Sequence, residues 1–276
     1  MITAGIDAGS RMIKVVLWDA GRGAIHASAQ VEQGVQQAQR ARDAFDEALR
    51  RADLAPGDIA RTVATGYGRN AIEWADTTLT EITCHARGVR RQTPEARTVI
   101  DIGGQDSKLI RLDADGRVRD FMMNDRCAAG TGRFLEIVAQ RLELPLNELG
   151  AAAGRAQRPS VISSMCVVFA ETEIVGLLSA GERPEDIVAG VQAAMASRVA
   201  SMAGHRLDEP AVFTGGVALI PGMDRALADA LGRSVRVAPD PRLTGALGAA
   251  LLAAEEWSRC LPQRTQRDTE GMPSIP

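Results

Sequence analysis

Apolar residues first recur in short β-branched runs. Ile2 to Ile6 and Met12 to Trp18 flank a tight glycine turn, and Asp19-Ala20-Gly21 turns the chain again into a third strand. Over 36–51 the period lengthens to that of a helix, with Ala38, Ala41, Phe45, Ala48 and Leu49 on one face. A short strand is predicted at 61–65 and a helix at 79–91. The pattern then restarts. Strand, glycine turn, strand, the turn Asp113-Ala114-Asp115-Gly116 and a third strand precede helices near 130–142, 167–178 and 184–202. A buried strand at 211–214, a helix at 222–231, a strand at 235–237 and a closing helix at 244–257 follow. The polar, proline-bearing tail from Cys260 to Pro276 is expected to be disordered.

The restart is a repeat at an offset of 94. Ile6-Asp7-Ala8-Gly9-Ser10-Arg11-Met12-Ile13-Lys14 aligns without gaps on Ile100-Asp101-Ile102-Gly103-Gly104-Gln105-Asp106-Ser107-Lys108. The chain therefore reads as two α/β domains that each open with a three-strand meander. Residues 1–95, completed by the helix at 244–258, form one, and 96–243 form the other.

Composition narrows the classes. A pI near 5.7 argues against a nucleic-acid protein held by a large basic surface. Aromatics are 3% of the chain, so the core must be Ala, Val, Leu and Ile. No apolar stretch approaches the ~20 residues needed to span a membrane, and the first residues lack the features of a secretion signal. Four scattered cysteines suit a reducing cytoplasm. The three histidines (His26, His85, His205) form no cluster with acids in the sequence and read as structural or solvated. Of 32 basic residues two are lysines, Lys14 and Lys108, and both fall at the same place in the repeat. Arginine serves everywhere else, so these positions call for a compact point charge that touches phosphate or pins the phosphate turns; the alternative is two leftover strand lysines.

A glycine turn between strands frees backbone N–H groups for an anion, and an Asp ending the preceding strand can hold hydrated Mg²⁺. Asp7-Ala8-Gly9-Ser10 and Asp101-Ile102-Gly103-Gly104 supply this twice. A third turn, Thr214-Gly215-Gly216-Val217, follows a buried strand and is placed to meet a nucleoside. Either Asp alone reads equally as a turn residue, whereas the ordered set of three turns points to ATP. The set resembles the actin, Hsp70 and sugar-kinase superfamily. That resemblance implies two RNase H-like domains closing an interdomain ATP cleft. It implies Asp7, Asp101, Gln105 and Asp106 as catalytic residues, with Gln105 and Asp106 positioning the attacking water; the other reading of Gln105 is a turn residue capping its own backbone. Nucleotide contacts would come from Gly9, Ser10, Arg11, Met12, Lys14, Gly103, Gly104, Lys108, Gly215, Gly216, Val217 and Asp240.

Cys127 and Cys166 each stand just before a predicted helix, whose N-terminus favours a thiolate. By spacing alone, both read as small core residues. Their surroundings, Asn124-Asp125-Arg126-Cys127-Ala128-Ala129-Gly130-Thr131-Gly132 and Ser163-Ser164-Met165-Cys166-Val167-Val168-Phe169-Ala170-Glu171, resemble the cysteine motifs of the 2-hydroxyacyl-CoA dehydratase activators and the related benzoyl-CoA reductase ATPase subunits. The Asp101–Lys108 motif matches that family too. The resemblance implies a homodimer in which Cys127 and Cys166 of each copy hold one 4Fe-4S cluster. It implies an ATPase that takes an electron from ferredoxin or flavodoxin and passes it to a dehydratase or CoA-ester reductase, with neither nucleic acid nor membrane as partner. A small-molecule kinase, an actin-like filament protein and one chain of a heteromeric aryl-CoA reductase are the competing readings. Cys84 is expected to be buried and Cys260 incidental.

Overall fold

The repeated meander folds twice into the same sheet. A computed structural model describes residues 1–163, 166–204 and 207–260. In the first half, β1 (Ile2–Ala8), β2 (Met12–Asp19) and β3 (Ala24–Glu32) form an antiparallel meander. Helix α1 (Gln37–Ala52) crosses back so that β4 (Ile59–Thr65) runs parallel to β1, and the two-residue β5 (Thr77–Thr78) completes the order β3-β2-β1-β4-β5. Helix α2 (Glu81–Gln92) follows, its first turn capped by the Thr80 hydroxyl accepting from the Thr83 N–H.

The second half repeats this plan with β6 (Thr98–Ile102), β7 (Ser107–Leu112) and β8 (Val118–Asn124). Helices α3 (Gly132–Arg141), α4 (Leu149–Ala153), α5 (Val167–Ser179) and α6 (Pro184–Ala203) precede β9 (Ala211–Thr214), α7 (Met223–Leu231) and β10 (Val235–Val237). The sheet order is β8-β7-β6-β9-β10, and β9 is parallel to β6 as β4 is to β1. The chain closes with α8 (Thr244–Cys260). The expected tail beyond residue 260 lies outside the described residues, as does His205; Cys260 itself ends α8.

The α1 stripe is Ala41, Ala44, Phe45, Ala48 and Leu49, with Ala38 exposed in the first turn. This set packs on Ile6, Ile13, Val15 and Leu17. The opposite face of the first sheet, Val16 and Trp18, is covered by Ala246, Leu247, Ala250 and Leu251 of α8. The seat is close: a Cβ on Gly248 would stand 1.7 Å from the Cys84 carbonyl oxygen. The Thr3 hydroxyl donates to Ala250 O at 2.8 Å. Helix α2 touches both halves. Cys84 packs toward α8, while Ile82, Ala86 and Val89 pack on Ile110 and Leu112 of the second sheet. The N-terminus of α2 is thereby fixed between the sheets, at the glycine turns.

Helix α5 stands apart from this economy of burial. Val167, Ala170 and Ile174 are buried, yet Val168 (66% exposed) and Phe169 (68%) face outward, with Val175 beyond them. Phe121, Met122 and Met123 of β8 are also exposed. Among the described residues no helix is long and apolar enough to cross a membrane.

Candidate functional site

Both glycine turns close the same way. Gly9 N–H donates to Met12 O at 3.1 Å, and Gly103 N–H donates to Asp106 O at 2.9 Å. The turns face each other so closely that a Cβ on Gly104 would lie 2.6 Å from Arg11 Cβ. Arg11 reaches across to Glu136 of α3, Nε to Oε1 at 2.8 Å. The first turn of α3 is hung from the second glycine turn: Gly132 and Arg133 N–H donate to the carbonyls of Gly103 and Gly104 at 2.9 and 2.8 Å.

Between the turns opens a cavity of about 660 Å³, a size that suits a nucleotide. Asp7, Gly9, Ser10, Arg11, Met12 and Lys14 line it from the first half; Asp101, Gly103, Gly104, Asp106, Lys108, Gly215, Gly216 and Val217 line it from the second. Two residues of the expected set do not. Gln105 is exposed on its turn, and Asp240 lines a smaller neighbouring cavity of about 300 Å³ while its backbone pairs with the Gln92 amide. Leu135, Leu146, Asn147, Leu219 and Ile220 also line the larger cavity, a patch that is apolar apart from Asn147 and suits a base. These residues come mostly from short turns, without periodicity to flag them.

Charge defines the other end. Lys108 is 2% exposed and lies 2.7 Å from Asp106, 3.1 Å from Glu81 and 3.3 Å from Asp101. Burial alone would push its pKa down, but the three carboxylates outweigh that and hold it above the usual lysine range. Burial also raises the Glu81 carboxyl, against the pull of Lys108. For Asp101 burial acts upward too, yet His85 when protonated, and Lys108 and Lys14, hold it below the usual carboxylate range. Lys14 pairs with Asp7 at 3.2 Å. Four carboxylates thus stand against two ammoniums, an excess that a divalent cation would balance. Among the described residues no three His, Cys, Asp or Glu converge as a metal site. A cation here would complete its shell from phosphate and water, as Mg²⁺ commonly does.

His85 corrects the sequence reading. It sits four residues beyond Glu81, on the same side of α2, so both side chains reach the cavity. Its Nδ1 is 3.0 Å from Thr244 Oγ1 and 3.8 Å from Asp101 Oδ1. The i, i+4 acid–histidine spacing in α2 was the available signal. Gly215, with φ +90°, holds a backbone that L-residues rarely adopt, and a Cβ there would meet Ile102 O at 2.3 Å and Asp101 Oδ1 at 2.7 Å.

The cysteines lie outside the cavity lining. Cys127 is exposed and precedes a 3₁₀ turn (Ala128–Gly130) rather than α3 directly. Asn124 clamps its backbone, Oδ1 accepting from the Cys127 N–H at 3.0 Å and Nδ2 donating to Cys127 O at 2.8 Å. Cys166 is exposed and immediately precedes α5. Cys84 is buried, its thiol pushed up to about 12 by that burial.

Residues 4–253 match the BadF/BadG/BcrA/BcrD ATPase family. The chain is 47% identical over 257 residues to the activator of lactoyl-CoA dehydratase of Anaerotignum propionicum, covering 92% of this chain and 98% of that one. It is 42% identical to the (R)-2-hydroxyglutaryl-CoA dehydratase activating ATPase of Acidaminococcus fermentans, covering 93% and 98%. The solved structure of the activator of the 2-hydroxyisocaproyl-CoA dehydratase from Clostridium difficile with bound ADPNP superposes with a TM-score of 0.90 at 40% identity, over 99% of this chain and 100% of that chain.

Proposed function

The chain belongs to the BadF/BadG/BcrA/BcrD ATPase family, and on that premise we propose that it is an ATP-driven electron donor that activates a 2-hydroxyacyl-CoA dehydratase or a related CoA-ester reductase. The observation that carries this reading is the pairing of a nucleotide-sized cavity with two exposed cysteines, in a chain that matches dehydratase activators over almost their whole length. Two copies form a homodimer in the cytoplasm. Ferredoxin or flavodoxin is the electron source, and a dehydratase or reductase component is the acceptor.

ATP occupies the cleft, its base against Leu146, Asn147 and Leu219 and its phosphates between the two glycine turns. Asp7 and Asp101 are the carboxylates for Mg²⁺, and the excess negative charge around them fits that ion. Asp106, with Gln105 beside it on the turn, positions the attacking water. Lys14 and Lys108 keep the carboxylates in place.

Cys127 and Cys166 suit a 4Fe-4S cluster by donor chemistry and by exposure. Both are exposed, and the apolar side of α5 next to Cys166 offers Val168 and Phe169 for a second copy to cover. Two thiolates per chain give the four that such a cluster takes, around a twofold axis. When bound, the cluster supplies one-electron chemistry at low potential. The chain's own part is mechanical: Gly103 and Gly104 hold the start of α3, and the 3₁₀ turn Ala128–Gly130 joins that start to Cys127. A shift of the phosphate turn is thereby handed to the cysteine within a few residues.

Anaerobic purification tests the reading. The expected protein is brown, bleaches with dithionite, carries about two iron atoms per chain and hydrolyses ATP. A protein that stays colourless after anaerobic reconstitution would instead point to a kinase on the same fold.

A further inference from the structure

The buried polar groups where α2, α8 and β9 meet form a chain with one direction. Pro241 O can only accept, and it takes the Thr214 hydroxyl at 2.6 Å. A hydroxyl has one proton, so Thr214 must accept from the Thr244 hydroxyl, 2.8 Å away. Thr244, whose own contact to Pro241 O is 3.5 Å, then accepts from His85 Nδ1 at 3.0 Å. The proton of a neutral His85 ring therefore sits on Nδ1. Asp101 Oδ1, at 3.8 Å from the same nitrogen, is beyond hydrogen-bond distance.

That leaves Nε2 as an acceptor. His85 is 6% exposed and borders the nucleotide cavity, and Nε2 has no hydrogen-bond partner among the described residues. A Cβ on Gly245 would lie 3.2 Å from His85 Nε2 and 2.9 Å from Asp7 Oδ2. The lone pair and the Asp7 carboxylate are thus within about 6 Å of each other. Among the described residues the buried side-chain atoms without a partner are Gln33 Oε1 and Arg97 Nε; Nε2 is instead reached from the cavity that His85 lines, and a donor can come from there.

We propose that His85 is a positioning residue of the nucleotide site. The Thr244–Thr214–Pro241 chain holds it as the Nδ1–H tautomer, and its Nε2 accepts a hydrogen bond from water beside Asp7 at the phosphate end of the cavity. The proposal rests on the nucleotide reading above and extends it to a residue on α2. It also ties the two ends of the site together. Pro241 O accepts from Gly215 N–H at 2.9 Å as well as from Thr214, so the turn facing the nucleoside and the ring facing the phosphates share one anchor.

The chain has three histidines, so labelling them with heavy nitrogen and recording long-range proton–nitrogen correlations reads each ring's tautomer. The resonance missing from His85→Asn is expected to be an Nδ1–H ring in the nucleotide-free protein. Its Nε2 should shift on addition of Mg-ADP. Thr244→Val, which keeps the shape and removes the hydroxyl, should move part of the population to Nε2–H. In His85→Asn the amide stands where Nδ1 stood and preserves the chain. That variant should keep ADP affinity within about twofold while kcat for ATP hydrolysis falls roughly 10- to 100-fold. An Nε2–H ring in the free protein overturns the assignment. So does an Nε2 that stays unshifted while calorimetry shows Mg-ADP bound, or a His85→Asn variant with wild-type kcat. Failure to bind any nucleotide by calorimetry overturns the underlying nucleotide reading, whichever tautomer is found.

Discussion

Lys108 stands directly opposite Asp101 in the β6–β7 ladder, as Lys14 stands opposite Asp7 in β1–β2. The second pair is the deeper, and Lys108 there serves Glu81 and Asp106 as well. Removing one side of such a buried set leaves uncompensated charge. Lys108→Met is expected to cost about 3–5 kcal/mol, and Lys108→Arg should recover little of it because the broad fork must replace a point charge among three carboxylates. Urea unfolding of the two variants measures both effects.

Asp101→Asn keeps the volume and removes the charge. ATP hydrolysis should fall roughly 100-fold or more, while the iron content of anaerobically purified protein stays at the wild-type value. Undiminished turnover would take Asp101 out of the site.

Cys166→Ser should lose the iron and shift the protein toward monomer in sedimentation. Retained iron would remove this cysteine from the ligand set. Because Cys166 lies outside the cavity lining, ADP binding should survive the substitution, which separates loss of the cluster from loss of the fold.

Gly248→Ala tests the seat of α8. Its methyl would stand 1.7 Å from the Cys84 carbonyl, and backbone cannot yield as a side chain does. The expected cost is about 3 kcal/mol, at the upper end of ordinary overpacking, visible as a lower urea midpoint.

Asp186 gives a pH dependence. Its carboxylate accepts from Arg158 N–H at 2.8 Å and from Gln157 N–H at 2.7 Å. These bonds, the Arg158 one foremost, together with Arg183 and Arg158, hold it below the usual range against the opposing effect of burial. A depressed folded-state pKa contributes stability above the unfolded value, about 3.9, and that stability is lost as pH falls through the folded value. Asp186→Asn keeps an acceptor for both N–H groups and should flatten this acid limb. An unchanged slope between pH ~4 and ~2 would assign the limb to other carboxylates.

Much of the scaffold was legible because the chain states it twice. The Asp, Gly and Lys of each meander share one register, so a match at one offset implied matching sheets. Less was legible where short segments carry the site. Helix α4 and strand β5 span five and two residues, too few for a period to show. Leu146, Asn147 and Leu219 reach the cavity from turns that a sequence cannot orient. In the sequence His85 reads as structural or solvated because its hydrogen-bond partner, Thr244, lies 159 positions away. The apolar pattern of α5 predicted a helix correctly, but nothing in its composition announced that much of that apolar surface would face outward.

The lock between β1 and α8 also orders the birth of the molecule. A ribosome emits β1 well before α8, so the second sheet can be complete while the first still lacks its cover. Until Ala246 and Ala250 arrive, Val16 and Trp18 remain bare on the nascent chain. The half that is synthesised first is the half that finishes folding last, and it is there that a chaperone would find its grip.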